Sequence, residues 1–309
     1  MADKLVTTKL YNAIVEELEM SAKVLEEQWD KTDPLLEDVE RCIIAVGAGD
    51  SYAAAIGIEA VDPRVRVFDP LDLLYNQVYL SRFIENNCIL IALSVGGRTR
   101  SVVALARNYR QRGGDVVAVT ANLESPLARE ASSTIRVIYG KLASGIGALR
   151  HLSMIVAAAK MLGYEKPLFN DKLQVDSNLR REAIYVGLCE SFSTAVFTVL
   201  KLYEVYGWRT RYEKLEQLLH APIFTTNYLV FFQSAICNSR SEELLETVRR
   251  AEYKVEVIPS LGSNGIDNLV GQGIVILKRI ANKVKENGVN EPFYKRHPKL
   301  DILTDIIYE

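Results

Sequence analysis

Short apolar runs recur along the chain, and most end in small or polar residues. Cys42–Val46 runs into Gly47-Ala48-Gly49-Asp50-Ser51, Val65–Phe68 follows, and Cys88–Leu93 runs into Ser94-Val95-Gly96-Gly97-Arg98-Thr99; Val116–Thr120 and Thr134–Tyr139 complete the first half. Runs of four to eight apolar residues bounded by turn signals read as strands buried on both faces. Between them the apolar period becomes helical. Val102, Val103, Ala106 and Tyr109 share one face of a helix from Arg100 to Arg112, stopped by Gly113-Gly114. Residues 8 to 29 place Leu10, Ile14, Leu18, Leu25 and Trp29 on one stripe, an amphipathic helix ahead of the first strand, with Pro34 closing the region. Repeated strand–helix alternation predicts a parallel, three-layer α/β sheet.

Gly145–Leu162 reads as a largely buried helix ending at Gly163, and the polar stretch from Pro167 to Arg181 as a linker. The pattern then starts again. Ala183–Gly187 with Leu188-Cys189-Glu190-Ser191 repeats the strand, glycine, acidic residue and serine of Ile43–Ser51 in the same register, so an internal duplication is expected. The expected domains are 1–166 (the N-terminal helix and the first α/β domain), the linker 167–181, and 182–309 (the second domain and a tail). Within the second, Tyr228–Phe232 and Val255–Ile258 are strands, and Tyr212–Leu219, Ser241–Tyr253 and Asn268–Glu286 are helices. The copies differ at one point. Gln233-Ser234-Ala235-Ile236-Cys237 follows Tyr228–Phe232 without a glycine pair, so only the first half is expected to hold an anion loop.

The 309 residues are 49% apolar and 25% charged, enough for two domain-sized cores. A net charge of -2 gives no general pull toward nucleic acid or acidic membranes. The N-terminus lacks the apolar core of a signal peptide, and no segment approaches membrane-spanning length, so a cytoplasmic protein is expected. Cys42, Cys88, Cys189 and Cys237 read as small buried residues rather than as a disulfide framework.

The loop from Ser94 to Thr99 joins the carboxyl end of a strand to the amino end of a helix. Unpaired backbone N–H groups and the helix dipole attract an anion there, and glycine lets the backbone approach it. With two hydroxyl donors added, the composition suits a phosphate monoester; it equally suits a helix cap and a turn. The absence of a lysine at the P-loop position disfavours a nucleoside triphosphate. In the second half Lys201 and Glu204 lie three apart on a helix, and His220 follows sixteen residues later, just before Pro222. These are candidate catalytic groups, although the commoner fate of such residues is a solvated surface ion pair and a hydrogen-bonded helix-end histidine. His151 and His297 show no metal-ligand spacing with His220.

The chain resembles the double sugar-isomerase (SIS) domain family from about Arg41 to the C-terminus. Gly47–Tyr52 resembles the family's first turn, and Ser94–Thr99 its S-x-S-G-E-T phosphate loop. Leu200-Lys201-Leu202-Tyr203-Glu204 and His220-Ala221-Pro222 resemble the L-K-L-K-E and H-G-P of the isomerase domain of glucosamine-6-phosphate synthase. The resemblance implies two SIS subdomains, each a parallel-sheet αβα (flavodoxin-like) sandwich. It implies that Gly49, Ser51, Ser94, Val95, Gly96 and Thr99 contact a sugar phosphate, and Ser144 the sugar. It further implies that Glu204, paired with Lys201, moves a proton between C1 and C2, that His220 assists ring opening, and that a homodimer shares the site without metal or other cofactor. The expected function is sugar-phosphate aldose–ketose isomerisation; the alternatives are fructosamine-6-phosphate deglycation, aminosugar-phosphate deamination, or non-catalytic regulation by phosphosugar binding. Three departures stand out. Gly96 replaces a serine, Arg98 replaces a glutamate, and the tail lysine of the synthase falls on Leu303 or Thr304, with Lys299 nearby. No glutaminase segment precedes the first helix, so glutamine-dependent amination is not expected.

Overall fold

A computed structural model describes residues 7–37, 39–139, 145–169, 175–237 and 239–308. The first sheet is built from β1 (Ile43–Val46), β2 (Val65–Phe68), β3 (Ile89–Leu93), β4 (Asp115–Thr120) and β5 (Ser133–Arg136), all parallel, in the order β2-β1-β3-β4-β5. Every residue of β1 and β3 is buried, as unbroken apolar runs require. One face packs on the helix Arg100–Gln111 through Val102, Val103, Leu105, Ala106 and Tyr109, with Leu73, Leu80 and Leu127 closing the layer. Tyr109 is fully buried and donates its hydroxyl to the Cys88 carbonyl at 2.9 Å.

The second sheet contains β6 (Ile184–Gly187), β7 (Arg211–Lys214), β8 (Tyr228–Phe232) and β9 (Lys254–Ile258), again parallel, in the order β7-β6-β8-β9. Counted from its own first strand, this is the order of the first sheet without a fifth strand, as a duplication would give. Its core joins Ile184, Val186, Leu229 and Phe231 to Leu215, Leu218, Leu245 and Val248. The 22-residue helix Gly265–Glu286 flanks this sheet, and the helix Lys9–Glu19 packs on it.

The chain forms two compact units from discontinuous stretches. One holds the second sheet with residues 1–23, 140–149 and 168–297; the other holds the first sheet with residues 24–139, 150–167 and 298–309. The N-terminal helix thus goes with the second sheet, and the C-terminal segment with the first. No helix among the described residues is long and apolar enough to cross a membrane.

Several sequence expectations need correction. The four cysteines form two disulfides, Cys42–Cys88 and Cys189–Cys237. Cys42 and Cys88 immediately precede β1 and β3, which are neighbours, and their Cα atoms lie 4.7 Å apart; a separation of 46 residues hid that pairing. Residues 8 to 29 make two helices, Lys9–Glu19 and Ser21–Asp30, rather than one. The expected helix Tyr212–Leu219 begins as the edge strand β7 and becomes helix only at Leu215–His220, because edge pairing of Tyr185 with Tyr212 overrides a polar, strand-poor sequence. The helix expected from Gly145 begins at Ala148, and that expected from Asn268 begins at Gly265.

Candidate functional site

Neighbouring strands β1 and β3 run in the same direction, so the loops that follow them emerge together at the carboxyl edge of the first sheet. The strand order reverses between these two strands, and a doubly wound sheet opens its ligand crevice at such a point. Both sequence-predicted loops therefore lie at that switch point. After β1, Gly49 adopts φ +57° and leads into the helix Asp50–Val61, with Ser51 buried in its first turn. Beneath this turn the buried His151 holds the Asp50 carbonyl with a ring nitrogen at 3.1 Å. The sequence carried no signal for this support, since a lone histidine on an apolar helix has no motif.

After β3, Ser94 is buried, and its hydroxyl lies 3.0 Å from the Thr99 hydroxyl. Thr99 occupies the N-cap position of the helix Arg100–Gln111, yet its side chain makes no capping hydrogen bond. The helix-cap reading of Thr99 therefore fails. The two hydroxyls face each other across the loop beside the positive end of a helix dipole. The Val95 carbonyl accepts from the Ala121 N–H at 2.9 Å and from the Thr120 hydroxyl at 3.0 Å, tying the loop to the end of β4. Gly97 is at φ +63°, and a Cβ there would lie 2.1 Å from Ser125 Oγ. Gly96, by contrast, has nothing within 4 Å of where a Cβ would sit.

The C-terminal segment meets the same loop. Tyr308 pairs with Thr99 in an isolated antiparallel bridge, its carbonyl accepts from Arg100 Nε at 2.8 Å, and the Arg98 guanidinium sits 5.8 Å from its ring centre. Arg98, which stands where the family's loop has a glutamate, is thus placed against an aromatic ring.

The candidate catalytic groups belong to the other unit. On the helix Ser191–Tyr206, Lys201 is wholly buried and donates to Glu204 Oε2 at 2.7 Å and to the Ile146 carbonyl at 2.8 Å. Glu204 keeps 36% of its side chain exposed. The pair is therefore not the solvated i,i+3 bridge of an ordinary helix face: the lysine is a buried strut that fixes the carboxylate. His220 ends the helix Leu215–His220 with its side chain 73% exposed and 3.8 Å from Glu216. No hydrogen bond or ion pair among the described residues joins it to Glu204. Ser144 lies outside the described residues.

The equivalent crevice in the second sheet, between β6 and β8, is filled from within. Glu190, fully buried, accepts from the Ser234 hydroxyl at 2.6 Å, the Ala235 N–H at 2.6 Å and the Asn268 amide at 2.8 Å. The disulfide Cys189–Cys237 crosses beside it, with Cα atoms 6.3 Å apart. A carboxylate of the chain thus sits at the switch point of the second sheet.

Residues 80–162 match the SIS domain. Over 123 residues the chain is 29% identical to an isomerizing glutamine–fructose-6-phosphate aminotransferase of Clostridium perfringens, covering 38% of this chain and 20% of that protein. It thus spans about a fifth of the length of that curated relative. Among solved structures, glucosamine-6-phosphate deaminase of Thermotoga maritima superposes with a TM-score of 0.66 at 13% identity, over 90% of this chain and 96% of that one. Tagatose-6-phosphate ketose/aldose isomerase of Escherichia coli gives 0.63 at 16% identity, over 91% and 92%. At these identities the likeness is one of fold. The matched segment contains β3, the Ser94–Thr99 loop, β4 and β5, so the similarity to the SIS domain lies over the loop on which the candidate site is built.

Proposed function

We propose that the chain is a sugar-phosphate aldose–ketose isomerase acting on a hexose or hexosamine 6-phosphate as a homodimer. The observation that carries this reading is the Ser94–Thr99 hydroxyl pair, held 3.0 Å apart at a helix amino end in the crevice between β1 and β3. A phosphate anchored there by hydroxyls and backbone N–H groups leaves the other end of the sugar free to react.

Isomerisation requires a base that removes the C2 proton of the open-chain aldose. The electron pair left behind forms the C1–C2 double bond of an enediol(ate) as the C1 oxygen takes up a proton; returning the proton to C1 while the C2 hydroxyl gives up its own yields the ketose. Glu204 is the candidate base, with enough exposure to meet substrate. Lys201 is a positioning residue, since its buried ammonium sets the carboxylate's direction. His220 is assigned the proton of the ring oxygen during ring opening, in the site of the neighbouring copy, a role its exposure permits.

Glu204→Gln tests the assignment. Isomerase activity with fructose 6-phosphate, glucosamine 6-phosphate or mannose 6-phosphate should fall by about a thousandfold or more, while thermal stabilisation by the same ligand stays nearly level. A wild-type chain stabilised by a sugar phosphate but inactive on all of them is a phosphosugar-binding regulator. Release of an amine from a fructosamine 6-phosphate or of ammonia from glucosamine 6-phosphate identifies a deglycase or deaminase.

A further inference from the structure

The second sheet has an amino edge as well as a carboxyl edge, and the amino edge is hollow. A cavity of about 700 Å³ opens there, with Arg181, Arg209 and Arg211 among its walls and Tyr203, Trp208 and Phe293 supplying aromatic surface. That volume lies within the ~300–1,000 Å³ range of small-molecule sites. It is continuous in lining with a hollow of about 400 Å³ that shares Arg181 and adds Arg180, Tyr228 and Lys254.

The fold itself gathers these cations. β6 and β7 are paired with Ile184 opposite Arg211, so Arg181, ahead of β6, and Arg209, ahead of β7, come to the same rim. None of Arg181, Arg209, Arg211 and Lys254 forms an ion pair among the described residues, and Glu182 is the one acidic side chain in either lining. Three guanidinium groups facing one cavity repel each other, and an anion removes that cost. The aromatic wall is also built. Trp208 is stacked on Tyr206 with ring centres 4.6 Å apart and an interplanar angle of 24°. Gly207, at φ +64°, lets Phe293 close in, since a Cβ there would lie 2.7 Å from its ring.

Flat apolar surface beside unpaired guanidiniums matches a ligand with both a planar ring and phosphate groups. Guanidiniums take phosphate oxygens in a bidentate fork, and an aromatic face stacks on the flat face of a base. A sugar phosphate offers no planar ring. We propose that the amino edge of the second sheet is a nucleotide site, separate from the carboxyl-edge crevice of the first sheet, in which Arg181, Arg209 and Arg211 hold the phosphates and the aromatic wall holds the base.

Calorimetric titration of the full chain with ADP and UDP tests this. Saturable binding of at least one is expected. Arg209→Gln/Arg211→Gln should weaken it about tenfold or more, a change that two exposed side chains permit without unfolding. Adenosine or uridine alone, and pyrophosphate alone, should each bind at least about tenfold more weakly than the nucleotide. Ser94→Ala should leave nucleotide binding unchanged. No saturation by either nucleotide at millimolar concentration, affinity unchanged in the double variant, loss of binding in Ser94→Ala, pyrophosphate binding as tightly as ADP, or a short oligonucleotide binding where mononucleotides do not would each overturn the proposal.

Discussion

In each sheet a disulfide clips the first strand to its central neighbour, but at opposite ends. Cys42–Cys88 sits ahead of β1 and β3, at the amino edge; Cys189–Cys237 sits beyond β6 and β8, at the carboxyl edge. At the carboxyl edge of the first sheet, where no disulfide lies, Ser94 and Thr99 turn toward one another across the loop. The second has its crevice crossed by a disulfide and plugged by the Glu190 carboxylate. Two copies of one strand order thus divide their roles by what fills the switch point. The two copies share an architecture and differ in the chemistry of the loops at their switch points.

The largest effect expected from breaking this contrast is on the clips. Cys189→Ser/Cys237→Ser and Cys42→Ser/Cys88→Ser open loops of nearly equal length, with separations of 48 and 46 residues, so chain entropy alone predicts a loss of about 4 kcal/mol for each. Denaturant titration of both variants checks this. A clearly larger loss for the 189–237 pair would mean that the clip also holds the plugged rim together. Next comes the plug. Glu190→Ala strands the donors of Ser234, Ala235 and Asn268 in a buried place and should cost about 3 kcal/mol, with Glu190→Gln intermediate. If the contrast is one of occupancy, inorganic phosphate should restore part of the stability of Glu190→Ala and none of that of Glu190→Gln.

A smaller effect is expected at the open crevice. Ser94→Ala/Thr99→Ala removes two donors that serve each other, so thermal stability should change little while phosphosugar affinity falls about 10- to 100-fold by calorimetry. The smallest is a pH effect in the unit that holds the first sheet. Burial pushes the Tyr109 phenol up to about 12, and Tyr164 likewise to about 12. Between pH 10 and about 12 the unfolded chain releases these protons and the folded chain keeps them, so stability falls as pH rises through that window. Tyr109→Phe should flatten the alkaline limb of a stability–pH profile.

Much of this was legible in the sequence. The runs Ile43–Val46 and Ile89–Leu93 were readable as strands because both faces are buried, and the turns after them because glycine, serine and threonine mark a strand-to-helix junction. β7 was not, since Arg211-Tyr212-Glu213-Lys214 is an edge strand whose identity comes from pairing with β6. The disulfides and the Glu190 plug were hidden for a related reason: they join residues more than 40 positions apart, which only strand order makes neighbours. Register did align Glu190 with Asp50, but alignment cannot reveal that the side chain turns back on its own sheet. Lys201 and Glu204 were visible as a pair; the complete burial of the lysine was not.

The glycine pair of the open loop carries one last implication. Gly96 faces empty space with an ordinary backbone, whereas Gly97 is left-handed and touches Ser125, the residue that caps the next helix. In a library of random variants, position 96 should therefore accept many letters, serine among them, and become the natural dial for retuning which phosphorylated sugar is preferred. Position 97 should stay monomorphic. Two identical letters side by side thus mark one residue open to evolutionary drift and one that is frozen.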